Sequence, residues 1–504
     1  MALINSMLLW LMKERLQEIE FFENHPQEVQ NNQLKALLKS AQNTEYGKMY
    51  DFSHILHAEE FRERLPINTY ESIKPYVDRL RTGEQNLLWS SEIKWFAKSS
   101  GTTSSKSKFI PVSNESLEEC HYKGGKDLYT LYVNAHPESE IFWGKNMAMG
   151  GSHHICENNS EAFYGDVSAI IMQNLPFWAE FKRVPNIEIA LMDEWESKID
   201  KMAQATLSEN ITNIAGVPSW ILVFLRKILE VSGKETIREV WPNLEAFFHG
   251  GVSFTPYKSQ FEKIMGRSNF NYVETYNASE GFFGIQDIAG AQDMLLMLDY
   301  GIYYEFIPLE ELHQDHPKCL EIGQVEAGKN YALVISTNAG LWRYLIGDTV
   351  QFTSIKPYRI RVSGRTKNFI NAFGEEIIVE NADRALSYAC EQTRAEISDY
   401  TAGPIFLDEK NQACHQWLIE FKQFPSDIEN FTTCLDVCLK QINSDYEAKR
   451  YCDMVLKRPQ IVSLPQGSFY QWMKSKDKLG GQHKVPRLAN DRQYLDDILS
   501  QMKK

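Results

Sequence analysis

A chain of 504 residues exceeds what one hydrophobic core ordinarily serves, so more than one domain is expected. Its 43% hydrophobic and 24% charged residues describe an ordinary globular protein, and 12% aromatic residues suit large apolar pockets. A net charge of −14 excludes a general nucleic-acid binder, which needs a basic surface, but leaves room for a local basic pocket.

Residues 1–90 read as helices. Leu8, Leu11, Leu16, Ile19 and Phe22 form an approximate helical stripe, and residues 33–42 carry another. The apolar start, Met1 to Met12, is too short to span a bilayer and reads as an amphipathic helix docked on the body, so no stable membrane insertion is expected. Ile93 to Ala97 reads as a strand. Phe109 to Val112 reads as extended, because the residue before Pro111 is pushed out of the helical region. Glu115 to Val133 reads as helix, Ala169 to Met172 as a short buried strand or helix, and Ile211 to Gly216 as a strand. Pro218 then sits where a helix N-terminus tolerates it, ahead of a helix from Ser219 to Val231. Leu244 to Phe248 is an apolar run ending in His249-Gly250-Gly251, and Tyr272 to Tyr276 is a further strand. Strands alternating with helices point to α/β layers to this point.

After residue 290 the pattern changes to strands joined by short polar turns, at 295–298, 303–307, 331–336, 349–353 and 358–362, which reads as meander or barrel-like β structure. Beyond it lies an α+β segment, with helices at 379–393 and 425–442 and strands at 395–400 and 416–421. A boundary near residue 365 therefore divides the chain into 1–364 and 365–504. The eight cysteines show no zinc-knuckle spacing and no secretion signal precedes them, so reduced thiols in a cytoplasmic protein are expected. Cys434 and Cys438 share a helix face, but no His or second Cys pair completes a metal site, and core thiols are the expected reading.

Between the two extended segments around residues 97 and 109 lies Ser99-Ser100-Gly101-Thr102-Thr103-Ser104-Ser105-Lys106-Ser107-Lys108, a turn of hydroxyls, glycine and lysines. Backbone N–H groups, O–H donors and positive charge together can hold phosphate. The pattern argues against a Walker-type loop: Lys106 stands where the second glycine belongs, and the chain runs into Pro111 instead of a helix. On spacing alone, phosphate binding and a plain polar loop remain equally open.

Three further stretches bear on the choice. They are Thr275-Tyr276-Asn277-Ala278-Ser279-Glu280-Gly281, Trp342-Arg343-Tyr344-Leu345-Ile346-Gly347-Asp348, and Gly480-Gly481-Gln482-His483-Lys484-Val485-Pro486-Arg487. An aromatic followed by an acid at a strand end can flank adenine and hold Mg²⁺. An aspartate in a Gly-Asp turn can accept both ribose hydroxyls, and a lysine on a mobile piece can neutralise charge as a carboxylate nears phosphorus. Each is weak alone; Gly-Asp is a common hairpin turn and Gly-Gly before Lys is commonly a flexible loop. The order and separation of the four carry the case.

That order resembles the acyl-adenylate-forming superfamily, and more closely the auxin-responsive Gretchen Hagen family of acyl acid amido synthetases, over nearly the whole chain. The resemblance implies an α/β fold: a large N-terminal domain of α/β subdomains plus a β-barrel, binding ATP and the acyl acid, and a small mobile α+β C-terminal domain carrying a catalytic lysine. It implies a reaction in which a carboxylic acid and MgATP give acyl-AMP and pyrophosphate, after which an amino acid amine takes the acyl group. Carried over by position, Ser99, Ser100, Thr102, Thr103 and Lys108 meet phosphate and Gly101 allows its close approach. Tyr276 and Ser279 sit near adenine and the α-phosphate, and Glu280 binds Mg²⁺. Asp348 holds the ribose, Gly250 and Gly251 approach the base, and Arg365 marks the domain junction as a ribose contact. Lys484 bridges the carboxylate and the α-phosphate. Plant-type members carry a glycine where this chain has Ser105, whose Cβ narrows how tightly the backbone wraps phosphate.

Phe142, Trp143, Met147, Met149, His153 and His154 lie where an acid-binding wall could stand, although most of them read as core or rim. His415 reads as an ordinary half-buried histidine. An acyl-CoA ligase shares the first half-reaction and remains an alternative, as does a non-catalytic acyl-acid or nucleotide-binding protein. The sequence names neither the acid nor the amine.

Overall fold

The computed structural model describes all residues except 1, 100–107, 152, 157–158, 176–179, 193–194, 252–253, 313, 366–368, 371–376, 406–412, 444–445, 448–449, 451–455, 477–484, 490 and 503–504. Helices dominate from Ala2 to Arg81, as their periodicity predicts, but residues 82–90, expected to be helical as well, form turns and bends that lead into β1. Pro26 starts the helix Pro26–Ala41 at the one place where its missing N–H costs nothing, and Leu34, Leu37, Leu38 and Ala41 form its buried face. Thr69 and Ser72 make a capping box for the helix Tyr70–Arg81, which buries Tyr70, Ile73, Val77 and Leu80. The N-terminal helix Ala2–Asn24 docks through buried Ile19 and Phe22, and through Arg15, which bonds both Asp127 and Asp299.

Strands β1 (Trp95–Ser99), β2 (Lys108–Val112), β3 (Lys145–Ala148), β4 (His153–Cys156) and β5 (Asn159–Gly165) follow. β1 begins two residues later than its apolar run suggests, because its antiparallel register with β2 and parallel register with β5 both start at Trp95. A four-stranded sheet runs β2-β1-β5-β4. The helix over residues 114–135 contains a π-helical stretch, Leu117–Tyr122, and Val167–Gln173 proves to be helix.

Strand β3 joins β6 (Arg183–Val184), β7 (Ile211–Gly216), β8 (Ala246–Gly250) and β9 (Asn271–Ala278) in parallel, in the order β6-β3-β7-β8-β9. The helices Trp195–Thr206, Pro218–Ser232 and Lys258–Met265 pack on this half around Ile214, Phe224 and Phe247. The chain then reverses. β10 (Gly281–Ile285), β11 (Met294–Leu296), β12 (Ile302–Pro308), β13 (Asn330–Thr337), β14 (Tyr344–Ile355) and β15 (Tyr358–Arg365) all pair antiparallel and extend the same sheet to eleven strands among the described residues. The antiparallel half is strongly curled. β14 is four places from β9 in the strand order, about 19 Å in a flat sheet, yet Tyr276 on β9 bonds directly to Asp348 on β14 at 2.7 Å. Curling of this kind is the physical content of the barrel-like expectation.

Beyond β15 come β16 (Phe369–Ile370), β17 (Ile377–Ile378), the helix Val379–Thr393, β18 (Glu396–Ile405), β19 (Cys414–Gln423), the helix Ile428–Ile442 and β20 (Gln460–Leu464). They enclose a core of their own around Leu386, Tyr400, Trp417 and Leu435. His415 is fully buried there against Tyr446, and Cys434 and Cys438 pack on the same cluster as free thiols.

Arg343 lies five residues before Asp348 in sequence but points elsewhere. Its guanidinium forks Glu305 at 2.9 and 3.0 Å and donates to the carbonyls of Arg62 and Leu65, with Arg343, Glu305 and Leu65 all buried. Removing one partner of such a pair strands the other charge, at about 3–5 kcal/mol. Arg343→Met should therefore lower the urea midpoint steeply, whereas Arg343→Met combined with Glu305→Leu should recover most of the loss.

Candidate active site

The parallel strands β3, β7, β8 and β9 all end on one side of the sheet, where open α/β sheets place their ligands. A cleft of about 1310 Å³ opens there. Met149, Gly150 and Gly151 enter it after β3, Val217 after β7, Gly250 and Gly251 at β8, and Tyr276 and Asn277 from β9. Asp348 and Gly364 close one side. The helix Val379–Thr393 presents Asp383, Arg384 and Ser387 from the C-terminal part of the chain, and Val485, Pro486 and Arg487 complete that wall.

Of the residues singled out in the sequence, the cleft brings together Gly250, Gly251, Tyr276 and Asp348. Tyr276 and Asp348 are both buried, and the phenol donates to the carboxylate. Ser279 and Glu280 follow in the β9–β10 turn beside the cleft; Ser279 is buried with its hydroxyl lacking a protein partner, and Glu280 is half-buried. Ser99 ends β1 and is the register partner of Lys108, so the two form the base of the hydroxyl-rich loop. Ser100, Gly101, Thr102, Thr103, Ser105 and Lys484 lie outside the described residues. The backbone of Arg365 stands opposite Asp348 in the β14–β15 register.

Gly250 has a structural reason independent of any ligand. A Cβ there would meet the Thr275 carbonyl oxygen at 2.4 Å, so the β8–β9 pairing itself demands glycine. Gly251 is in the left-handed region at φ 78°. Among the candidates for an acid-binding wall, only Met149 is seen to line the cleft. Phe142 and Trp143 are exposed on a 3₁₀ turn and Met147 is core, while the side chains of His153 and His154 lie outside the description.

Several cleft residues carry no sequence signal. Glu274 and His249 are register partners on β9 and β8 and both line the cleft. Burial holds the His249 imidazole down to about 3, so it is neutral, and it stacks on Phe254 at 4.3 Å. Burial, with no offsetting cation, pushes the Glu274 carboxyl up to about 7. Arg487 pairs with Asp399, lies 4.7 Å from the Tyr400 ring and donates to Tyr257, in the 3₁₀ turn Thr255–Tyr257 after β8, at 3.1 Å. That contact joins the C-terminal wall to the strand ends. The π-helical stretch braces the second motif from behind: Cys120 Sγ accepts the Phe282 N–H, and buried His121 lies beside Asn277, held down to about 4 by burial.

Profiles of three domains match nearly the whole chain: the GH3 family N-terminal domain over residues 15–270, the central domain over 295–365 and the C-terminal domain over 380–493. The chain belongs to the GH3 family. Among GH3 relatives, the indole-3-acetic acid-amido synthetase GH3.3 of Arabidopsis thaliana is 23% identical, covering 92% of this chain and 89% of its own. The 4-substituted benzoates-glutamate ligase GH3.12 of the same plant is 23% identical over 91% of this chain and 92% of its own. The solved structure of the GH3.15 acyl acid amido synthetase shares the fold with a TM-score of 0.79 at 17% identity, covering 97% of this chain and 95% of that one. A 2-hydroxyisobutyryl-CoA ligase shares it more distantly, at 0.56 and 13% identity, covering 94% of this chain and 91% of that one.

The raised carboxyl of Glu274 predicts a stability profile. Between its ordinary value of 4.5 and about 7 the folded chain holds a proton that the unfolded chain has released. Its contribution to stability therefore falls as pH rises through that window and levels off above it. Glu274→Gln removes the loss. It should match the parent in thermal melts at pH 4.5 and exceed it at pH 8, by on the order of 1–3 kcal/mol; equal melting at both pH values would contradict the assignment.

Proposed function

We propose that this GH3 protein is an ATP-dependent, AMP-forming acyl acid amido synthetase. The observation that carries the reading is the Tyr276–Asp348 hydrogen bond at the parallel strand ends, in a cleft that also receives Val485–Arg487, the residues directly after Lys484. Family membership supports an amine as acceptor over a thiol, since the GH3 relatives named above are amido synthetases or an amino acid ligase.

In the first step a carboxylate oxygen bonds to the α-phosphorus and the bond to pyrophosphate breaks. The obstacle is repulsion between anions, which preorganised donors and cations offset. Ser99, Ser100, Thr102, Thr103 and Lys108 would hold phosphate, with Gly101 permitting its approach. Asp348 would hold the ribose hydroxyls with Arg365 at the junction, and Tyr276, Ser279, Gly250 and Gly251 would flank the nucleotide. Mg²⁺ is bound by oxygen, commonly through one or two carboxylates with substrate phosphates supplying the rest. Glu280 fits that mode as a half-buried carboxylate in the β9–β10 turn beside the cleft, and among the described residues no group of three or more His, Cys, Asp or Glu offers an all-protein cage instead. Glu280 would hold the ion, which when bound neutralises phosphate charge.

In the second step the amine nitrogen bonds to the acyl carbon, the bond to AMP breaks with its electron pair, and the nitrogen gives up a proton. Residues 365–504 would act as the mobile domain that carries Lys484 to the α-phosphate. No described helix is long and apolar enough to cross a membrane, and a cytoplasmic location is part of the proposal.

The test is pyrophosphate release from MgATP across a panel of aromatic and aliphatic carboxylic acids, with and without amino acids, and with product mass read in the amino-acid arm. Acid-dependent release and an amide mass are expected; a thioester formed with CoA in place of an amide would move the CoA ligase ahead. Lys484→Ala should reduce acid-dependent release at least a hundredfold, roughly the loss of a transition-state charge partner, while calorimetric ATP binding persists. An unchanged rate would remove Lys484 from the mechanism.

A further inference from the structure

Arg81 ends the helix Tyr70–Arg81, and its guanidinium carbon stands 3.8 Å from the centroid of the Phe109 ring and 6.0 Å from that of Tyr164. Phe109 and Tyr164 meet edge to face, so they hold the guanidinium against a fixed aromatic corner. The Arg81 Nε is buried without a hydrogen-bond partner, and among the described residues this guanidinium makes no hydrogen bond or ion pair. Its neighbour Arg79 shows the ordinary alternative, forking Glu45 and reaching Glu84.

The place matters. Phe109 is the register partner of Lys98, one step behind the Ser99–Lys108 pair that bases the hydroxyl-rich loop. Lys98 Nζ stands 5.9 Å from the same Tyr164 ring, and Lys108 Nζ 5.9 Å from the Tyr70 ring. Tyr70 OH accepts the Phe109 N–H, which leaves its own proton to donate. Cations and an unused donor thus gather at one hairpin in a chain of net charge −14. A guanidinium held over an aromatic ring without a carboxylate partner keeps N–H donors to spare, and its planar fork suits two oxygens of one phosphate. More than one cation suits a polyanion better than a lone carboxylate.

We propose that Arg81, with Lys98 beside it, binds the β- and γ-phosphates of ATP and the pyrophosphate they become. This rests on the adenylation reading above and adds to it a residue outside the loop itself. Arg81 serves the leaving group and not the nucleoside monophosphate that stays behind.

Calorimetric titration of the full chain with MgATP, magnesium pyrophosphate and AMP tests this on the parent, Arg81→Met and Arg81→Lys. Both variants keep an aliphatic stem over Phe109, and Arg81→Lys also keeps the charge. The expected result is a loss of about tenfold or more in ATP and pyrophosphate affinity for Arg81→Met, partial recovery in Arg81→Lys, and AMP affinity within about twofold of the parent. Lys98→Met should weaken pyrophosphate by a smaller factor and serves as the probe where Arg81→Met melts early. Unchanged ATP and pyrophosphate binding overturns the proposal, and so does a loss shared equally by AMP. Failure of the broader reading looks different: a parent that releases no pyrophosphate with any acid, while still losing phosphate affinity in Arg81→Met, defeats adenylation and leaves the anion site standing.

Discussion

A single hydrogen bond marks the constraint on which the site depends. Tyr276 and Asp348 are 72 residues apart and sit on strands with three others between them. In a flat sheet they would be far beyond side-chain reach. Their contact requires the antiparallel half of the eleven-stranded sheet to curl back over the end of its parallel half. The curl places a buried carboxylate beside the parallel strand ends, where backbone termini and loop glycines already leave room for a ligand. Parallel strands position the glycines and aromatics; antiparallel strands supply the acid. Neither half builds the site alone, which gives a physical reason for one continuous sheet joining two strand patterns.

Local pattern explains what could be read directly from the sequence. The helix Val379–Thr393 shows a strong 3.6-residue repeat and was legible to the residue. The switch from alternating strands and helices to a meander near residue 290 was visible in the turn chemistry, and so was the grouping of Gly250, Gly251, Tyr276 and Asp348, through family resemblance rather than periodicity. What stayed hidden depends on register. Glu274 and His249 are 25 positions apart and become neighbours only through β8–β9 pairing. Phe142 and Trp143 are near Met149 in sequence, yet β3 intervenes and carries the chain from the surface to the cleft. The π-helical stretch behind the second motif has no compositional mark, because one extra residue in a turn leaves the apolar pattern almost intact.

Charge bears on the same question from another side. In the proposed chemistry a chain with fourteen excess negative charges holds a polyanionic nucleotide, and it must do so with cations not already neutralised. Most buried or half-buried arginines are spoken for: Arg15 by Asp127 and Asp299, Arg343 by Glu305, Arg359 by Asp287 and Asp293, Arg450 by Asp436 and Arg487 by Asp399. Those pairs tie elements together and contribute little field outside themselves. Arg81 differs because aromatic rings, not a carboxylate, hold it in place. Stacking fixes the guanidinium without cancelling its charge, so a fixed positive group is available to a ligand at low reorganisation cost. In an acidic protein that arrangement concentrates attraction for phosphate at one hairpin, while the acidic remainder of the surface disfavours nonspecific polyanions. The net charge and the local basic corner are then two parts of one selectivity.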